Sequence, residues 1–292
     1  MRTYVVALVL GLSVYSASQD ESNLAVVFEG QPKPSRNFAR LRHKAEKGDP
    51  HAQFGVGLAY EAGSGVKQDY AQAAHWYHMS ADHGDAGAQN NLGTLYVRGW
   101  GVSQDGQEAL KWYLRAAEQA LPAAENNLGT MYGNGAGVPE DAPEAVKWFT
   151  KAANHGSVAA EVALASMYAA GLGVPQNDLE AFTWFHKAAD KGYAPAENHL
   201  GFMYANGRGV PVDAKQALRW YGAAADNGIV AAEYSIGMMY LRGVAVEQDS
   251  AEALRWLRRA AQHGSLEAQN EIQIASSEND PEHRNAANSS LK

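Results

Sequence analysis

A step of 36 residues runs through most of this chain without a slip. Trp76, Trp112, Trp148, Trp184, Trp220 and Trp256 keep it. So do Tyr60, Tyr96, Tyr132, Tyr168, Tyr204 and Tyr240, and Gly63, Gly99, Gly135, Gly171, Gly207 and Gly243. Val66, Val102, Val138, Val174, Val210 and Val246 follow the same step. Six registers with no insertion or deletion restrict the fold to a stack in which each unit packs on its neighbours. The repeats are set at 49–84, 85–120, 121–156, 157–192, 193–228 and 229–264.

Each unit carries two helical stretches. In the second, Ala88, Leu92, Leu95 and Tyr96 lie at helical spacing on one face and predict a first helix, A. Gly99-Trp100-Gly101 ends it, since glycine accepts the positive φ that a helix C-terminus often needs. A second helix, B, is predicted to start at Asp105 with Glu108 three residues on, the pattern of a capping box. The pairing recurs as Asp69/Gln72, Asp141/Glu144, Asn177/Glu180, Asp213/Gln216 and Asp249/Glu252. Ala109, Trp112, Tyr113 and Ala116 form the apolar stripe of helix B, and a glycine usually closes it. The expectation is all-α: a right-handed α-solenoid of six 36-residue antiparallel helix pairs with terminal half-repeats.

The unit reads A-x-x-x-L-G-x-x-Y-x-x-G-x-G-V-x-x-D-x-x-x-A-x-x-W-[YF]-x-x-A-A. It resembles the Sel-1-like repeat family, relatives of the tetratricopeptide repeats with a longer loop between helices. The resemblance covers about 49–264. It implies an adaptor that holds proteins together in secretion, signalling or host contact. Ala120 and Pro122 depart from the usual glycine turn, Ala165 from the glycine of helix A, Leu257 from the second aromatic and Ala245 from the second loop glycine. The Helicobacter branch carries a disulfide in each repeat; this chain has no cysteine.

Met1-Arg2-Thr3 followed by the apolar run Tyr4 to Val14 and by Ser16-Ala17-Ser18 reads as a signal peptide cleaved after Ser18. That places the protein in the periplasm or outside the cell, not spanning a membrane once cleaved. A flexible lead is expected over 19–34, a capping helix over 35–48, a second over 265–275 and a disordered tail over 276–292. The absence of cysteine excludes thiolate metal sites and a cysteine nucleophile. The formal net charge of −8 argues against a nucleic-acid partner. The expected partner is a protein or peptide, and the chain itself a monomer.

The Trp, Tyr, Leu, Ala and Gly columns are assigned to packing, because every unit needs them to stack. By resemblance to tetratricopeptide repeats, helix A lines a concave groove. Counting from the Leu-Gly-x-x-Tyr anchor, three columns face inward. They supply the candidate peptide-binding residues Asn90, Thr94, Arg98, Asn126, Thr130, Asn134, Asn198, Phe202, Asn206, Tyr234, Met238 and Arg242. Asparagine carries both donors and acceptors, so a row of them can pair with an extended backbone. Phe202, Tyr234 and Met238 would anchor apolar side chains, and Arg98 and Arg242 carboxylates. A competing reading has these asparagines capping backbone groups within the stack.

His75, His78 and His83 fall close together, but no zinc-ligand spacing accompanies them. His83, His155 and His263 share a column just before the closing glycine, where a histidine complements the helix dipole. Neither metal nor cofactor is expected. Ser64-Gly65-Val66-Lys67 and Ser289-Ser290-Leu291-Lys292 match S-x-x-K without the S-D-N and K-T-G partners of penicillin-recognising enzymes. The expectation is therefore a non-enzyme. A beta-lactamase-like hydrolase, an activity attributed to some relatives, stands as one alternative and a secreted factor acting on host cells as another.

Overall fold

The computed structural model describes residues 35–244 and 246–278. The segments expected to be a signal peptide and a flexible lead, Ala245 and everything past Glu278 lie outside the described residues. Fourteen α-helices and no strand occur among them. In chain order they are α1 (Arg36–Glu46), α2 (Pro50–Ala62), α3 (Tyr70–Asp82), α4 (Ala86–Arg98), α5 (Gly106–Ala117), α6 (Pro122–Asn134) and α7 (Ala142–Asn154). These are followed by α8 (Val158–Ala170), α9 (Asp178–Ala189), α10 (Ala194–Asn206), α11 (Ala214–Asp226), α12 (Val230–Arg242), α13 (Ser250–Gln262) and α14 (Leu266–Glu278). Even numbers from α2 to α12 are A helices and odd numbers from α3 to α13 are B helices. The fold is an all-α solenoid of six helix-pair repeats, with α1 in B register and α14 in A register.

Local chemistry explains the punctuation. Each A helix ends on a glycine in the left-handed region, from Gly63 at φ 68° to Gly243 at φ 62°. Each B helix starts on an Asp or Asn whose side chain accepts a backbone N–H of the first turn, as Asp141 Oδ1 does from Glu144 at 2.9 Å. Only half of the expected capping box forms. The N-cap backbone N–H donates not to the Glu or Gln side chain but to the carbonyl of the A-helix tyrosine, as from Asp105 to Tyr96 at 3.0 Å and from Asp141 to Tyr132 at 2.8 Å. The tyrosine carbonyl is one of the unpaired acceptors at the end of helix A, so one bond closes two helix ends. Glu108, Glu144 and Glu252 are thereby freed to pair with Lys111, Lys147 and Arg255.

Ala120, which stands where the other repeats close on glycine, is the only non-glycine residue at positive φ among those described, at 56°. An L side chain there is strained by about 1 kcal/mol relative to glycine. Ala120→Gly is expected to raise stability by about that amount, read as a shift in the denaturant midpoint with an unchanged slope.

Two glycine columns set how closely helices approach. A Cβ at Gly57, Gly93, Gly129, Gly201 or Gly237 would fall 2.5–2.8 Å from Tyr77, Tyr113, Phe149, Tyr221 or Leu257, the B-helix residue packed beneath it. The second loop glycine seats each loop on the start of the preceding B helix. A Cβ at Gly101 would lie 2.2 Å from the backbone of Tyr70, and one at Gly137 would lie 2.4 Å from the Cα of Gly106. In α14 the first column holds Gln273, which is exposed.

The chain divides into two compact units. The first runs to Met167 with Gly171–Pro175, and the second comprises Tyr168–Ala170 with residues from Gln176 onward. In the first, Phe38, Val56 and Trp76 form one core cluster, Tyr77, Leu92, Leu95 and Trp112 a second, and Tyr113, Leu128 and Met131 a third. In the second, Tyr221, Ile236 and Met239 centre one cluster, and Met238 and Leu257 another. Burial of these side chains supplies the main stabilisation of each unit.

Candidate functional site

In the first unit the expected face is carried by α4 and α6, and much of its asparagine content is engaged internally. Asn127 Nδ2 donates to Asn90 Oδ1 at 2.9 Å, Asn90 Nδ2 to Asn91 Oδ1 at 3.1 Å, and Asn91 Nδ2 to the Tyr77 hydroxyl at 3.2 Å. Tyr77 in turn donates to the Glu61 carboxylate. Burial and that carboxylate hold the Tyr77 hydroxyl well above the ordinary tyrosine range. Thr94 Oγ1 bonds the Asn90 carbonyl and lies 3.0 Å from the Tyr113 hydroxyl. Thr130 Oγ1 bonds the Asn126 carbonyl. Asn90 is thus engaged within the stack by other asparagine side chains and not by backbone capping, while Thr94 and Thr130 bond the carbonyl one turn back.

Three residues of this face remain available. The half-buried Asn126 side chain has no hydrogen-bond partner among the described residues. Asn134 is exposed at the end of α6, and Arg98 is exposed at the end of α4. In the second unit, Phe202 is 42% exposed, while Asn206 turns its amide back onto the Phe202 carbonyl at 2.8 Å. Asn198 is half-buried, with a shielded Oδ1 that has no partner. Tyr234 is half-buried beside Glu271, and Arg242 is exposed. Met238 offers no open surface: it is 8% exposed and packs in the core cluster of Leu257. Its placement in the sequence column as an anchor is corrected by the B helix that covers it.

The sequence reading missed a column of buried polar residues on helix A: Gln53, Gln89, Glu125, Glu161, Glu197 and Glu233. The residue thirty positions later, at the end of helix B, answers it in several repeats. Gln119 Nε2 donates to Gln89 Oε1 at 2.9 Å, His155 Nδ1 meets Glu125 Oε2 at 2.7 Å, and Asn227 Nδ2 donates to Glu197 Oε2 at 3.2 Å. His263 Nδ1 meets Glu233 at 2.9 Å, and Arg259 Nε meets it at 2.7 Å. His155 and His263 cap the ends of α7 and α13 and also meet buried carboxylates there. His83, at the end of α3, instead stands against the Met79 carbonyl at 2.7 Å. The column repeats every 36 residues and was visible as a pattern, but nothing local marks it as buried.

The remaining histidines diverge. His78 pairs with Asp82 and turns an edge to Trp112, while His75 packs on Trp76. Among the described residues no three His, Asp or Glu side chains come together in a metal-binding group. Ser64 and Lys67 are exposed on the loop between α2 and α3, and Ser289 to Lys292 lie outside the described residues.

The Sel1 repeat family model matches residues 50–85, 86–121, 122–157, 158–193, 194–229 and 230–265. No curated protein matches the chain significantly. Among solved structures, c5321 of uropathogenic Escherichia coli, described as a protective antigen displaying an SLR fold, is 33% identical at a TM-score of 0.70. The match covers 80% of this chain, which spans only 58% of that protein. A Sel1 repeat protein from Oxalobacter formigenes is 36% identical at a TM-score of 0.67, over 77% of this chain and 98% of its own. Six matched repeats over most of the chain, on the observed helix pairs, establish that it belongs to the Sel1-repeat family.

Proposed function

We propose that this protein is an exported scaffold that binds a protein or peptide segment on its A-helix face. Sel1-repeat proteins are generally protein–protein interaction scaffolds and typically non-catalytic. The observation that carries the finer reading lies in the first unit. There Asn126 and Asn134 on one A helix and Arg98 on the preceding one leave amide and guanidinium groups unspent on a face otherwise hydrogen-bonded to itself. Polar groups without internal partners can pair with an incoming chain without first giving up a bond inside the protein. Export rests on the charge and apolar pattern of residues 1–18.

The test is capture from the periplasmic fraction and culture medium of the native cell, with the full chain as bait beside its Asn126→Ala/Asn134→Ala variant. A protein held about tenfold less well by the variant, with the helical melt unchanged, is the expected outcome. Equal capture by both would remove the A-helix face as the site. A second reading, a factor acting on host cells, draws on the description of the Escherichia coli relative as a protective antigen. A partner of host origin would favour it.

A further inference from the structure

At the loop end of the second repeat, Trp100 stands 37% exposed. Its ring lies 4.9 Å from that of Tyr70, the first residue of α3, and the Arg98 guanidinium lies 4.6 Å from the indole centroid. Gln68 Nε2 fixes the Tyr70 hydroxyl at 3.1 Å while also bonding the Glu61 carbonyl at 2.7 Å. Gly101 presses the loop onto the Tyr70 backbone from the next position. The three side chains thus sit on a fixed frame.

We propose that the corner formed by Tyr70, Trp100 and Arg98 anchors an acidic linear peptide segment, which sets an apolar side chain against the indole and a carboxylate against Arg98. The proposal rests on the protein-binding reading above and gives the partner's chemistry. The fold does not need this tryptophan. The same loop position holds Ser64, Ala136, Leu172, Arg208 and Val244 in the other repeats, and the loop glycine alone makes the close contact. Where that position is charged, it is neutralised within the unit: Arg208 Nε reaches Asp178 at 3.0 Å. In repeat two that position holds Trp100, paired with Tyr70, and Arg98 over its ring has no carboxylate partner among the described residues.

Arg98 ends α4, the helix that also carries the Thr94–Tyr113 contact. An arginine held over an indole by cation–π attraction still has N–H donors to spare, so a carboxylate can bind it in two-pronged fashion. Trp, Tyr and Arg are the residues that most often dominate binding energy at protein interfaces.

The test uses a displayed library of random linear peptides selected on the full chain. It is repeated on Arg98→Asn, Trp100→Ser and Asn126→Ala/Asn134→Ala. The first two substitutions borrow residues that equivalent positions of this chain already hold, at Asn134 and Ser64, so the loop retains its fold. Selected peptides should share an acidic residue next to an aromatic or large aliphatic one. They should lose about tenfold or more in affinity on Arg98→Asn and on Trp100→Ser, with melting curves unchanged. Peptides of that kind that bind both variants as well as the parent would overturn the corner. Peptides lost only on Asn126→Ala/Asn134→Ala would overturn it while leaving the A-helix face intact. A library that yields nothing on any of the four proteins would overturn both, and binding of a single-stranded oligonucleotide that depends on Trp100 would replace the peptide as ligand.

Discussion

Glu233→Ala is expected to lower the stability of the second unit by about 3 kcal/mol, because breaking a buried ion pair leaves its other members uncompensated. Glu233 is 0% exposed, and its carboxylate takes Arg259 Nε at 2.7 Å and His263 Nδ1 at 2.9 Å. Arg259 Nη2 also donates to the Ala225 carbonyl at 3.1 Å. In the first two repeats the same column holds glutamine, and its amide does that job itself: Gln53 bonds the Ala45 carbonyl and Gln89 the Ala81 carbonyl. The arginine and the glutamate in the last repeat are thus one compensated replacement for a neutral amide. Arg259 and His263 are each more than a third exposed, so water relieves part of their loss and the effect falls at the low end of the buried-pair range. Glu233→Gln, which keeps an acceptor and adds a donor, should cost only about 1–2 kcal/mol. Denaturant unfolding followed by helical signal checks both. In a repeat array the alanine variant should show an early, separate transition, since each repeat is stabilised mainly by its neighbours. A single transition within about 0.5 kcal/mol of the parent would show that the column carries no net stability.

Gly137→Ala should cost about 3 kcal/mol or more, whereas Gly84→Ala should cost only about 1–2 kcal/mol. Both glycines sit at positive φ, 78° and 89°. A methyl group at position 84 meets nothing within 4 Å, so only the backbone strain counts. At position 137 the methyl would lie 2.4 Å from the Cα of Gly106, which is backbone and cannot turn aside. The loop would have to lift from the start of α5, opening the contact between the second and third repeats. Comparing the two midpoints separates conformational strain from helix-to-loop packing. Equal losses would show that strain alone sets the glycine requirement.

The period of 36 carried the helix pairs, their order and most of the core, because a repeat that stacks on copies of itself must put the same residue types at the same contacts. Trp112, Leu92 and Ala88 are buried for the reason their columns repeat. N-caps such as Asp105 and Asp249 were legible too, since a side chain three residues from a backbone N–H needs no distant partner. The binding columns were less legible. Asn90 and Asn126 occupy one column and share one residue type, yet Asn90 is held by Asn91 and Asn127 while Asn126 is free. That difference lies in which neighbours reach each amide.

The sequence by itself determined what repeats: an all-α stack of six helix pairs, the glycines that end helix A and the acidic caps that start helix B, all set by interactions a few residues long or by a contact copied from unit to unit. Only the tertiary structure decided what does not repeat. It buried Met238 against Leu257, joined Glu125 to His155 and Glu233 to Arg259, and left Trp100 and Arg98 facing solvent. Those outcomes depend on side chains about twenty to thirty residues apart meeting or missing each other, and spacing along the chain does not encode such distances.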